Sequence, residues 1–159
     1  MSFKALDWHR MVTPRVDLST VNQLIEIVVR AGDVHAPDAR KSLQDAYARR
    51  DVVKYPDAPG ISTLFRPGAT LDELALEGSF PHRRISFSVI GKIIAELAAA
   101  GFELVLFVTP APEFGLPDHH SLAVAQSGTV ADILSDAAAD ALIRALIVID
   151  NPYRQKSNP

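Results

Sequence analysis

The chain has no cysteine, which removes disulfides, thiolate nucleophiles and cysteine-ligated zinc together. No uninterrupted apolar run is long enough to span a bilayer, and residues 1–15 lack the apolar core of a signal peptide. A cytoplasmic protein without a membrane partner is the expectation. A basic excess is missing too: 16 Lys and Arg stand against 19 Asp and Glu, a formal charge of −3. Strong nucleic-acid binding, which relies on neutralising phosphates, is therefore not expected. Neither Gly-x-Gly-x-x-Gly nor a Walker pattern occurs, so dinucleotide and P-loop folds are not indicated.

What is there is an ordinary globular composition, 48% apolar and 22% charged over 159 residues. That length suits one domain over 1–150, with 151–159 read as a polar, disordered tail. Between Gly101 and Ile149 six acidic residues face only Arg144, so an anion site is expected before Lys92. No internal repeat or low-complexity segment is present.

Periodicity and punctuation divide the chain into elements. Ser19 or Thr20 is placed to cap a helix whose face is Val21, Leu24, Ile25, Val28 and Val29, ended by Gly32. A second helix is predicted from Pro37 or Asp38 to about Arg50, and a short strand over Ile61–Phe65. Thr70 and Glu73 have capping-box spacing ahead of a helix over Leu71–Leu76. A brief strand near Ile85, with Ser88 as cap, leads into a helix that ends at Ala100 and Gly101. Phe102–Val108, nearly all apolar, reads as a central strand covered on both faces. The proline-rich stretch Thr109–Asp118 joins it to a strand over His120–Ala125, and so short a connection makes the pair antiparallel. Thr129 is placed to cap a last helix, with Ala145–Ile149 open between helix and strand. The sum is α+β: a small, largely antiparallel sheet packed with several helices.

Two segments carry residues suited to chemistry. In Pro117-Asp118-His119-His120-Ser121, consecutive strand residues point to opposite faces, so one imidazole faces the core and the other a cleft or solvent. A histidine there titrates near neutrality and serves as acid or base, making His119 and His120 the catalytic candidates. In Pro59-Gly60-Ile61-Ser62-Thr63-Leu64-Phe65-Arg66, Gly60 permits close backbone approach to a ligand. Ser62 offers a hydroxyl there and Arg66 a planar fork for phosphate or carboxylate. Arg84, ending the basic cluster His82-Arg83-Arg84, is a further anion-holding candidate.

Asp118-His119-His120 also shares its three letters with metal-dependent phosphoesterases. There the motif follows an apolar strand and works with aspartates supplied earlier; here it precedes a strand with no such aspartates upstream, and no metal site is assigned.

The succession of a Gly-Ile-Ser-x-x-Phe strand, a helix and a Pro-Asp-His-His-Ser-Leu strand, spanning Pro59–Val124, resembles a group of small bacterial proteins. Some of these are similar to ADP-ribosyltransferase-type toxins, including a toxin of the type VI secretion system. The resemblance implies a toxin-like, nucleotide-binding protein with NAD as its ligand. Only Ser62, Arg66 and His119 or His120 match positions of that site; the Ser-Thr-Ser triplet and the paired Glu-x-Glu are absent. The expected partner is thus a small anionic ligand. The alternative is a noncatalytic interaction module of immunity or adaptor type, a homodimer included.

Overall fold

The computed structural model describes residues 12–49, 51, 53–78 and 84–152. It is α+β, with four helices and one antiparallel sheet of seven strands. The strands are β1 (Ile27–Ala31), β2 (Ile61–Leu64), β3 (Arg84–Val89), β4 (Glu103–Val108), β5 (His119–Gln126), β6 (Thr129–Val130) and β7 (Ile147–Asp150). The helices are α1 (Ala39–Ala48), α2 (Leu71–Gly78), α3 (Ile90–Ala99) and α4 (Asp136–Ala145). The sheet order is β4-β5-β2-β1-β3-β7, with β6 paired to β5.

Three helices cover one face and one covers the other. On the first, Ile61, Leu106 and Leu122 pack with Leu43 and Tyr47 of α1, Ile93 and Leu97 of α3, and Leu142 of α4. Ala138, Ala141 and Ala145 keep α4 thin enough to lie close to α3. On the second face Leu74 and Ala75 of α2 meet Val29, Leu64 and Ile85. Thr70 and Glu73 form the expected capping box: Glu73 N donates to Thr70 Oγ1 (3.2 Å) and Thr70 N to Glu73 Oε1 (3.1 Å).

The first predicted helix is instead a turn and a strand. Leu24 and Ile25 are 84% and 67% exposed, so their spacing marks no buried face. The β-branched run Ile27-Val28-Val29 becomes β1, with Val28 buried against one layer and Val29 against the other. The turn before β1 has its own task. The carbonyls of Glu26 and Gln23 accept from Ile90 N (2.8 Å) and Gly91 N (2.9 Å), capping α3 in place of Ser88. A Cβ on Gly91 would stand 2.7 Å from Gln23 O, so only glycine allows that approach.

Within the strand, Leu104–Phe107 is continuously buried, yet β4 is the end strand, not the central one. Its outer edge is closed by residues 14–16: Val16 N donates to Leu106 O and Val108 N to Pro14 O, both at 2.8 Å. Thr129 caps no helix. Ser127 and Gly128, with φ of 52° and 80°, form the two-residue turn that pairs β6 with β5. Ser135 caps α4 by accepting from Ala138 N (3.2 Å), and residues 147–150 settle as a strand beside β3. Among the described residues no helix is long and apolar enough to cross a membrane. Most of the predicted tail, with His82 and Arg83, lies outside the described residues.

Candidate functional site

β5 pairs with β4 on one side and β2 on the other, which sets Ser121 beside Phe107 and Ser62, and His120 beside Val108 and Thr63. Side-chain alternation then separates the two histidines. His120 is buried, its Nδ1–H donating to Asp118 O (2.7 Å) while its ring meets Phe65 edge-on with centroids 5.3 Å apart. His119 lies on the open face and lines two adjoining cavities.

The larger cavity, about 320 Å³, is floored by Ser62, His119 and Ser121. Arg49, Lys54, Tyr55, Thr109, Glu113 and Phe114 also line it, with Lys54 bonded to Glu113 (3.1 Å). The smaller, about 150 Å³, is lined by Arg30, Ser62, Leu116 and His119. Ser62, Leu116 and His119 are common to both.

The bonds around His119 assign its tautomer. Nδ1 is 2.9 Å from Thr109 O, which can only accept, so Nδ1 carries the hydrogen. Thr109 Oγ1 lies 3.0 Å from the same nitrogen and 3.1 Å from Ser121 Oγ, extending the chain to a second hydroxyl. Nε2 makes no hydrogen bond among the described residues, and in the neutral ring it holds the lone pair. Burial pulls the His119 pKa below its ordinary value, more than the Thr109 carbonyl raises it, so the ring is neutral at pH 7. A neutral imidazole oriented through Nδ1 presents Nε2 as a base or acceptor.

Of the other sequence-predicted residues, Ser62 reaches this site and the two arginines do not. Arg66 Nε donates to Asp118 Oδ2 (3.1 Å) and its Nη2 to Glu73 Oε2 (3.2 Å), a position that lines neither cavity. Those carboxylates, already close by, neutralise the charge that was expected to meet a ligand. Arg84 stands on β3 between Asp33 (3.9 Å) and Asp150 (3.7 Å), also outside both cavities. Gly60 lines the larger cavity, and a Cβ there would come within 2.8 Å of Leu122 O, so glycine is needed for the backbones to approach. Beside Arg66, Glu77 Oε2 accepts from Asp118 N (3.1 Å), and burial next to the Asp118 carboxyl pushes Glu77 up to about 7.

Sequence reasoning missed Arg30, Arg49, Lys54, Tyr55, Thr109, Phe114 and Ser121. Arg30 was hidden inside the mistaken helix, though a cation directly after three β-branched residues is a visible anomaly. Phe114, 76% exposed in a loop held by the Ala111–Leu116 bridge, carries no periodic pattern at all. Among the described residues no three His, Asp or Glu side chains converge to hold a metal ion.

No protein-family model, curated protein or solved structure matches this chain.

Proposed function

We propose that the protein binds a small nucleotide-type ligand on the open face of β2 and β5, with His119 as the acceptor or acid–base group. The observation that carries this reading is His119 itself: one nitrogen is committed to Thr109 and the other is left open on a cavity. The rest of the lining suits such a ligand. Phe114 offers a flat apolar face, exposed at a cost unless something covers it. Ser62, Ser121 and Thr109 offer hydroxyls, and Arg49 a cation. A volume of about 320 Å³ lies at the low end of small-molecule sites, roughly 300–1,000 Å³. It suits a mononucleotide, or one half of an NAD-type dinucleotide.

Binding is the extent of this reading. The two carboxylates of the lining are occupied, Glu113 by Lys54 and Asp51 by the amides of Val53 and Lys54. The test is calorimetric titration of AMP, adenosine and NAD into the wild type and His119→Ala. Saturable binding of a nucleoside or nucleotide that His119→Ala weakens about tenfold or more supports the site. Binding that is absent, or unchanged in His119→Ala, overturns it.

A second reading, the interaction module, is favoured by β7. Its outer edge has no strand partner among the described residues, and Ile147 on it is 45% exposed. Light scattering that finds a dimer dissociated by Ile147→Lys would support it.

A further inference from the structure

Four of the described arginines have a carboxylate within 4 Å: Arg40, Arg66, Arg84 and Arg144. Arg15 lies over the Phe107 ring, 5.2 Å from its centroid, and within the field of Asp57. Arg30 and Arg49 differ from all of these. Among the described residues neither has an acidic partner, and both border the His119 cavities.

We propose that Arg30 and Arg49 form a phosphate-binding subsite at the seam between β1 and β2, receiving the anionic group of the ligand held at His119. This rests on the reading given above for the cavity. β1 and β2 pair at a single position, Val29 opposite Leu64. Beyond it the half-buried Arg30 fills the divergence and donates from Nη1 to Ser62 O (3.1 Å). One of its five N–H groups is thereby used, and no acidic side chain takes the others. Arg49 follows α1 at the same end of β2, where Gly60 N donates to Tyr47 O (3.2 Å), and among the described residues it donates only a long bond to Asp45 O (3.4 Å).

The two cations border cavities that share Ser62, Leu116 and His119. Burial lowers the proton affinity of Arg30, and the charge of Arg49 lowers it further. Holding like charges near one another, with Arg30 half-buried and Arg49 exposed, is unfavourable, and a dianion between them offsets that repulsion while accepting their idle donors. The carboxylates nearby do not serve. Asp51 caps two amides, Glu113 is paired with Lys54, and Asp33 accepts from His35 N and faces Arg84. Ser62, common to both cavities, lies where a ligand would pass from His119 to the arginines.

Inorganic phosphate is the direct probe, titrated into the full chain while the arginine Nε signals are followed by NMR. Both Arg30 and Arg49 should shift with one saturating constant, and Arg49→Gln should weaken it by about tenfold or more. Arg30→Lys keeps the charge but not the fork and should weaken it too. If that variant misfolds, Arg49→Gln, an exposed change, decides alone. AMP should also bind more tightly than adenosine, by a margin that Arg49→Gln removes. Phosphate that moves neither arginine signal, or binds Arg49→Gln unchanged, overturns the subsite. Should adenosine and AMP fail at His119 while phosphate still titrates both arginines, the nucleotide reading falls and the anion site stands.

Discussion

Arg66 Nε donates to Asp118 Oδ2 across 3.1 Å, and this bond ties the end of β2 to the start of β5. Glu73, itself part of the capping box of α2, takes a second guanidinium nitrogen of the same arginine. The side chain that looks most like an anion receptor in the sequence is thus a strut between two strands and a helix.

Arg66→Ala and Arg84→Ala should leave nucleotide affinity within about twofold of wild type, because neither lines a cavity. Each arginine pairs with one exposed carboxylate and one half-buried one, Asp118 for Arg66 and Asp33 for Arg84, so each variant should lower the melting temperature measurably while affinity holds. Calorimetry and thermal melts of the two variants check this.

The two histidines should separate binding from stability. His119→Ala removes the open nitrogen and should weaken ligand binding with a small change in unfolding midpoint. His120→Ala removes a buried ring packed on Phe65 and should cost about 2 kcal/mol in urea unfolding. Equal stability losses in both variants would contradict the separation.

Glu77 sets a pH dependence whose sign follows from its raised pKa of about 7, against an ordinary value of 4.5. The folded protein holds that proton more tightly than the unfolded chain, so its stabilisation is full below pH 4.5 and lost as pH rises through about 7. His119 and His120, both lowered mainly by burial, act oppositely: their contribution is lost as pH falls below the ordinary 6.5. Subtracting the profile of Glu77→Gln isolates the carboxyl. The variant should gain stability relative to wild type between pH 5 and 8, and a flat difference would reject the assignment.

Tyr47 tests the junction of α1 with β5 and the segment after β6. Its buried hydroxyl donates to Ala131 O (2.6 Å) and accepts from Val124 N (3.3 Å). Tyr47→Phe leaves both backbone groups in need of new partners and should cost about 1–3 kcal/mol by chemical denaturation.

The β4–β5 hairpin was legible because each strand announces itself. Leu104–Val108 is continuously apolar, and Pro110, Pro112, Gly115 and Pro117 break the chain between it and the next run. The opposite orientation of His119 and His120 followed from strand alternation alone. The start of the chain was less readable. Val21, Leu24 and Ile25 have helical spacing but sit in a turn whose carbonyls serve α3, a tertiary demand that local pattern does not carry. Arg66 failed for the same reason: its partners lie 52 residues away at Asp118 and seven away at Glu73. Arg49 and Phe114 meet at one cavity only through the sheet order, which brings β2 beside β5.

β1 and β2 pair at one position only, Val29 with Leu64, joined besides by the Arg30 bond to Ser62 O, which makes the sheet mechanically two leaves, one of β4, β5, β2 and β6 and the other of β1, β3 and β7. Force applied along the β1–β2 boundary meets one bridge, whereas β1 and β3 are zipped over five positions and β4 and β5 over six. Slow amide exchange should therefore be concentrated within each leaf, and the crease between them should be the line along which the molecule breathes.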